Sequence, residues 1–330
     1  MARPKVAPVV WRPGRAGSPP APSLPELTLL AVTGHGTEDV LVDAAGDLYT
    51  GVADGRILRL STDGRRPETL AETGGRPLGI ELFPDARLLV CDAERGLLLV
   101  DPAGGKVEPI VPGGQGVHLC NNAAVTADGT VYFTDSSARF PLAHYKADLI
   151  EHSGTGRLLR RDPDGSVETL LTGLQFANGV ALAPDESYLV VAQTGAYRLD
   201  KLWLTGARAG ELDSLDDNLP AFPDNLATGS DGLIWVAMAS PRDRALDLAH
   251  RWHPAVRKAI WALPERFQPK EKRTVWVRAV NGDTGAVVHE FFGRHPEFHM
   301  VTGVREHGGT VYLGSLAESA VASFRLGGQK

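Results

Sequence analysis

Six segments of this chain repeat one pattern: an alternating run of apolar and polar residues, a tight polar turn, then a second alternating run. They read DVLVDAAGDLYTG from Asp39, LGIELFPDARLLVCD from Leu78, NAAVTADGTVYFTD from Asn122, NGVALAPDESYLVVAQ from Asn178, DNLATGSDGLIWVA from Asp224 and TGVREHGGTVYLG from Thr302. Period-two alternation on either side of a polar turn is the pattern of an antiparallel hairpin. Repeats of about forty residues, each able to supply four strands, predict a β-propeller with blades arranged around a central channel.

The first repeat holds all four strands, DVLVD, DLYTGV, RILRLS and PETLAET, while the last supplies only VTGVRE, TVYLGSL and AVASFRL. The missing outer strand is expected from ELTLLAV, Glu26 to Val32, which would pair the two chain ends and leave no open edge. The expected fold is therefore all-β: a single six-bladed propeller over residues 26–330, preceded by an extended segment over 1–25.

Aligning the turns on Gly46, Ala86, Gly129, Glu186, Gly232 and Gly309 and stepping back eight residues gives Glu38, Leu78, Asn121, Asn178, Asp224 and Val301. Four of these six are oxygen donors, and equivalent positions of inner strands converge on the channel axis. Singly, the Asn and Asp residues could be turn formers. Glu is a poor turn residue, and the shared register points to a metal ring of Glu38, Asn121, Asn178 and Asp224. Two charged and two neutral oxygens, with no cysteine in register and no histidine pair at ligand spacing, suit calcium first and magnesium second.

With 43% hydrophobic residues and 37 glycines in 330, the chain can bury a large core, and its turns come too often for a helical bundle. A net charge of −6 argues against nucleic acid as a partner. The N-terminal stretch is proline-rich and has no continuous apolar run, which predicts a cytoplasmic protein. Cys91 and Cys120 lie in different repeats and read as small buried residues rather than a disulfide framework.

Two stretches break the repeat, at 136–156 in the third blade and at 240–273 in the fifth. Long insertions in a compact domain are usually functional. In the second, Trp252, Val256, Ile260, Leu263 and Phe267 recur at helical spacing opposite Arg251, Arg257, Lys258 and Arg266, predicting a basic amphipathic helix interrupted near Pro254 and Pro264. It reads first as a lid over the channel mouth, then as a partner surface, and last as a membrane-surface anchor through 246–267. Additional pocket candidates are His118, Arg139, Tyr145 and Thr302, and His299 is the histidine best placed to assist catalysis.

The segments NNAAVTADGTVYFTDSSARF, TGRLLRRDPDG, LTGLQFANGVALAPDESYLVVAQT and AFPDNLATGSDGLIWVAMASPR resemble the strictosidine-synthase-like branch of the superfamily of six-bladed propellers that includes gluconolactonases and paraoxonases. The resemblance implies that, as in the hydrolytic members, a glutamate, two asparagines and an aspartate hold a catalytic calcium, here Glu38, Asn121, Asn178 and Asp224. It also puts Asn122 where many relatives have aspartate, and Thr302 at or near the place of the synthases' catalytic glutamate. The expectation is a calcium-dependent hydrolase of lactones or esters, with Asp224 as general base or nucleophile and Glu38 as the second candidate. A condensing or cyclising biosynthetic enzyme and a non-catalytic calcium-stabilised binding propeller are the alternatives.

Overall fold

The computed structural model describes residues 3–61, 67–264, 268 and 270–327. Among them, six four-stranded antiparallel sheets form a six-bladed propeller. Blades 1 to 5 begin with the inner strands Leu41–Val42, Pro77–Leu82, Cys120–Val125, Ala177–Leu182 and Ala221–Thr228, and each adds three strands in chain order. Blade 6 consists of Val301–His307, Thr310–Ser315 and Ala320–Arg325, completed by Thr28–Ala31 from the other end of the chain. Thr28 lies opposite Ser323 and Ala31 opposite Ala320, so the closure expected from ELTLLAV is present.

Every turn residue used for the alignment, including Ala86 and Glu186, has a φ between +57° and +89°. The repeat is thus anchored by one left-handed residue per hairpin, a conformation that glycine adopts without penalty. Between neighbouring blades the apolar faces interlock, with Tyr188, Val190, Met238 and Trp276 joining blades 4 and 5, and Trp235, Val277, Val304 and Leu313 joining blades 5 and 6. Each such buried side chain contributes about 1.5–3 kcal/mol. Cys91 and Cys120 are free, buried members of the cluster between blades 2 and 3.

The inner strands are not regular. Pairing jumps from Pro77 to Ile80, Cys120 to Ala123, Ala177 to Val180 and Pro223 to Leu226, while the partner strand advances by only two residues each time. These are β-bulges, in which two residues oppose one and the usual alternation of side chains is broken. Leu78, Asn121, Asn178 and Asp224 each occupy the first bulge position, and Gly79, Asn122, Gly179 and Asn225 the second.

The blade 3 insertion contains helix α1 (Tyr145–Glu151), which the sequence pattern did not reveal. The blade 5 insertion contains α2 (Arg244–Arg251) and α3 (Pro254–Ala262). Asp243 caps α2 by accepting from the Ala245 and Leu246 amides at 2.7 and 3.0 Å. Pro254 opens α3, where its missing N–H has no cost.

The insertion departs from the amphipathic expectation at Arg257, while Arg251 and Lys258 are exposed as expected and Val256 and Ile260 are partly exposed. Arg257 is fully buried and donates to the Ile150 carbonyl at 2.7 Å, while Trp252 and Leu263 are exposed. Arg266 and Phe267 lie outside the described residues. The buried guanidinium is retained because three elements offer it acceptors: α1 through Ile150, α2 through His250 Nδ1 at 2.9 Å, and the N-terminal segment through the Val9 carbonyl. That segment, without helix or strand among its described residues before Thr28, straps α1, α2 and α3 together. Val9 donates to the Glu151 carbonyl, Trp11 to that of His250, and the Trp11 ring stacks on His152 at 4.1 Å.

Candidate functional site

Glu38, Leu78, Asn121, Asn178, Asp224 and Thr302, one residue from each blade, line the floor of one cavity at the channel mouth. The bulges turn these side chains toward the axis, and Glu38 reaches the same level from the irregular stretch ahead of Leu41. Val301, which the eight-residue count selected in blade 6, is instead in the core cluster with Val304 and Leu313. The hairpin of blade 6 turns through Gly308 and Gly309 alone, between the paired His307 and Thr310, one residue fewer than the three-residue turn after Thr126. The equivalent position therefore moves to Thr302, whose hydroxyl donates to the Glu38 carbonyl at 2.7 Å.

The amide groups of the two asparagines are oriented by their neighbours. Asn121 Nδ2 donates to Ser136 Oγ at 2.8 Å, and Ser136 in turn donates to the Ala177 carbonyl at 2.6 Å. Asn178 Nδ2 donates to Thr194 Oγ1 at 3.1 Å, and Thr194 donates to the Pro223 carbonyl at 2.7 Å. With the NH₂ groups so engaged, Asn121 Oδ1 and Asn178 Oδ1 are buried and accept no hydrogen bond from the protein. Buried orphan oxygens cost about 1–3 kcal/mol each. Beside two carboxylates, they are what a hard cation would satisfy.

The carboxylates carry the same signature. Glu38 is held well above its ordinary range by burial, and by the nearby Asp224 and Asp39, with Arg76 and the Asn225 amide opposing. Burial lifts Asp224 to about 7, against the Asn178 amide that favours its charged form. Asn225 Nδ2 donates to both Glu38 oxygens, at 3.0 and 3.1 Å. One step deeper, Asp39 accepts from Asn122 Nδ2 and from the Ile80 amide, both at 3.3 Å, and burial raises it to about 7. Among the described residues no three His, Cys, Asp or Glu side chains gather as a metal cluster. The donor set is two carboxylates and two amides, which fits calcium and not a thiolate or imidazole metal.

Asn225 and Asp39 escaped the sequence reading because strict alternation would turn the residue after each ring position away from the channel. Gly79, Gly179 and Gly303 are the signal that could have found them. A Cβ on Gly79 would meet the Asn121 carbonyl oxygen at 2.7 Å, and one on Gly303 the Asp39 Cα at 2.6 Å. Glycine thus alternates with Asp39, Asn122 and Asn225 around the ring, and lets adjacent inner strands close up there.

Above the ring the wall is mostly apolar. Phe176, Phe222 and Met300 each stand two residues before a ring position and line the cavity, together with Leu149 and Ile150 of α1 and Leu246 of α2. Phe176 and Met300 have left-handed backbones, φ +56° and +53°, a strained state for bulky residues. Tyr145 also lines the cavity, its hydroxyl donating to Glu271 Oε1 at 2.5 Å, and Lys146 binds the same oxygen at 2.8 Å, so the two insertions meet across the mouth.

Three expected residues lie elsewhere. His118 is exposed, outside the cavity lining. Arg139 pairs with Glu151 at 2.7 Å and with the Lys5 carbonyl, serving the strap rather than the pocket. His299 is also absent from the lining; its Nδ1 meets Glu318, and its Nε2 lies 3.4 Å from Arg273 Nη1.

The six-bladed propeller defines a fold class that includes solved lactonases. A gluconolactonase from Xanthomonas campestris superposes with a TM-score of 0.66 at 17% identity, covering 99% of this chain and 95% of that one. Regucalcin from Agrobacterium tumefaciens, described as calcium-binding, superposes at 0.63 with 14% identity over 89% and 90% of the two chains. At such identities the likeness is one of fold.

Within that class the chain belongs to the strictosidine-synthase-like family. The Strictosidine synthase family matches residues 121–207, and the family's N-terminal region, Strictosidine synthase-like, matches residues 20–60. An adipocyte plasma membrane-associated protein of Salmo salar is 35% identical over 82% of this chain and 71% of its own length. Protein STRICTOSIDINE SYNTHASE-LIKE 6 of Arabidopsis thaliana is 33% identical over 86% and 76%. Relatives named for the plasma membrane overturn the cytoplasmic placement drawn from the N-terminal composition, which is blind to surface association. No described helix is long and apolar enough to cross a membrane.

Proposed function

We propose that this protein is a calcium-dependent hydrolase of lactones or esters bearing apolar acyl or aryl groups. The observation that carries the reading is the pair of orphan oxygens, Asn121 Oδ1 and Asn178 Oδ1, buried beside Glu38 and Asp224 under an apolar wall. Glu38, Asn121, Asn178 and Asp224 would hold the ion. Calcium there supplies Lewis acidity toward a carbonyl oxygen and its developing negative charge.

The remaining roles fall to the chain itself. Asp224, half-buried and facing the cavity, is the group for attack, either by accepting the proton of a water or as nucleophile. An environment that lifts its carboxyl to about 7 suits proton transfer near neutral pH. Asn225 fixes the Glu38 carboxylate from below. Phe176, Phe222 and Met300 exclude water and receive the apolar part of the substrate, for which a polyhydroxylated sugar lactone would find few partners.

The test is a panel of aryl esters, alkyl lactones and gluconolactone, assayed with calcium, with chelator, and with Asp224→Asn. The expected result is chelator-sensitive turnover of the apolar substrates, lost in the variant. Calcium binding by calorimetry with no turnover of any ester or lactone would sink the enzymatic reading and favour a binding propeller.

A further inference from the structure

We propose that the outer face of the N-terminal strap and of α2 and α3 is a docking surface for anionic lipid bilayers. The burial of Arg257 is the starting point. With Arg257 buried on the underside, the residues flanking α3 are open to solvent, Trp252 at 49% and Leu263 at 41%, and Val256 and Ile260 within it are partly exposed. Leu248 of α2 (46%) and Val9 and Val10 of the strap (54% and 48%) are exposed on the same layer. Five of the ten large apolar residues exposed among the described residues therefore belong to this layer, which decides against random scatter.

The layer is continuous. Trp11 N donates to the His250 carbonyl, Arg251 reaches the Pro13 carbonyl at 2.5 Å, and Trp261 Nε1 donates to the Pro4 carbonyl at 2.8 Å. Leu246, Ala249 and Trp261 are buried, so what is exposed on the layer faces outward.

Charge selects the occupant. The strap exposes Arg3, Lys5, Arg12 and Arg15 and has no acidic residue before Glu26, and the helices expose Arg244, Arg251 and Lys258. Asp247, the one carboxylate within α2 and α3, is tied to Arg242 at 2.9 Å. On a chain of net charge −6 this is a basic face around an apolar stripe. A second copy of the chain would bring like charges together, and a nucleic acid would leave the stripe without a partner. An anionic bilayer offers both an apolar interior and counter-charge. Leu149 and Ile150 of α1 and Leu246 of α2 line the catalytic cavity, so docking would set an apolar pocket beside an apolar phase.

The experiment is flotation of the full chain with vesicles of phosphatidylcholine, alone or with about a third phosphatidylserine. Binding is expected only to the anionic vesicles, with release at about 1 M salt, where charges are screened within about 3 Å. Arg12→Gln with Lys258→Gln should weaken partition at least tenfold, as about 1 kcal/mol per cation requires. Trp252→Ser should also weaken it, and both variants should keep the parent's melting temperature. Three results would overturn the proposal: no partition of the folded protein at low salt, equal partition to neutral vesicles, or a concentration-dependent dimer that Trp252→Ser dissolves.

Discussion

At the scale of single residues, the ring depends on side chains that aim its donors. Thr194 is the sharpest case, because one hydroxyl accepts from Asn178 Nδ2 and donates to the Pro223 carbonyl of the next blade. Thr194→Val keeps the shape and frees the amide to rotate, so calcium affinity should fall about 10–100-fold, the usual cost of losing a partner that orients a ligand. Titration calorimetry on the variant checks this, and unchanged affinity would remove Asn178 from the ion. The carboxylates add a pH dependence. Without the ion Asp224 sits near 7 and Glu38 is raised as well, so protons compete with calcium. Apparent affinity should therefore fall as pH drops below about 7, by roughly tenfold per pH unit for one proton. Calorimetry at pH 6 and pH 8 with equal affinities would contradict that. Glu38, Asn121, Asn178 and Asp224 could be read from the sequence because a left-handed turn residue fixes the offset eight positions on. Thr302 is reached only through the family resemblance, since the register count falls one residue short of it on a hairpin one residue shorter than the others. Asn225 and Asp39 depend on irregular inner-strand backbone, and strict alternation conceals them.

At the scale of elements, strap and helices are locked by two neutral histidines. Burial first and Arg257 second push His152 down to about 4 and His250 to about 3, from an ordinary value of 6.5. Between those values the docked strap binds fewer protons than a released one, so its stability, fully present above about 6.5, is lost as pH falls. Asp148, raised to about 6 mainly by burial, acts in the opposite sense between 3.8 and about 6. One group against two leaves a net loss of up to about 1.4 kcal/mol per pH unit. Limited proteolysis of the N-terminal segment should quicken between pH 7 and pH 5, and His152→Gln should flatten that response. Equal cleavage rates across the range would show that the histidines do not hold the strap. The insertion at 240–273 was legible as helical from its periodicity, and Pro254 and Pro264 as its breaks. Its orientation was not, because periodicity says which residues share a face and nothing about which face turns inward. Here the carbonyls of Val9 and Ile150 and the His250 ring offer acceptors to Arg257, and that decided the matter.

At the scale of the whole molecule, closure and the proposed cation would act on the same ring. The blade count and the pairing of chain ends were readable because each hairpin repeats one alternation and the last repeat is a strand short. Thr28–Ala31 supplies it. A bound ion would also bridge the ring from within, because the four proposed ligands come from blades 1, 3, 4 and 5. An ion binding all four exists only in the closed propeller, so calcium should stabilise the native state by about 2.7 kcal/mol at a free concentration a hundred times its dissociation constant. Across a chain of 330 residues that corresponds to a rise of about 4 °C in melting temperature. Differential scanning calorimetry with calcium and with chelator measures it. Glu38→Gln should abolish the increment while lifting the metal-free baseline, because it removes a buried carboxylate that faces Asp224 and Asp39 with no cation between them. A metal-free variant less stable than the metal-free parent would mean that Arg76 and Asn225 together are enough to hold Glu38 charged, and that the ring is built for a purpose other than gripping an ion.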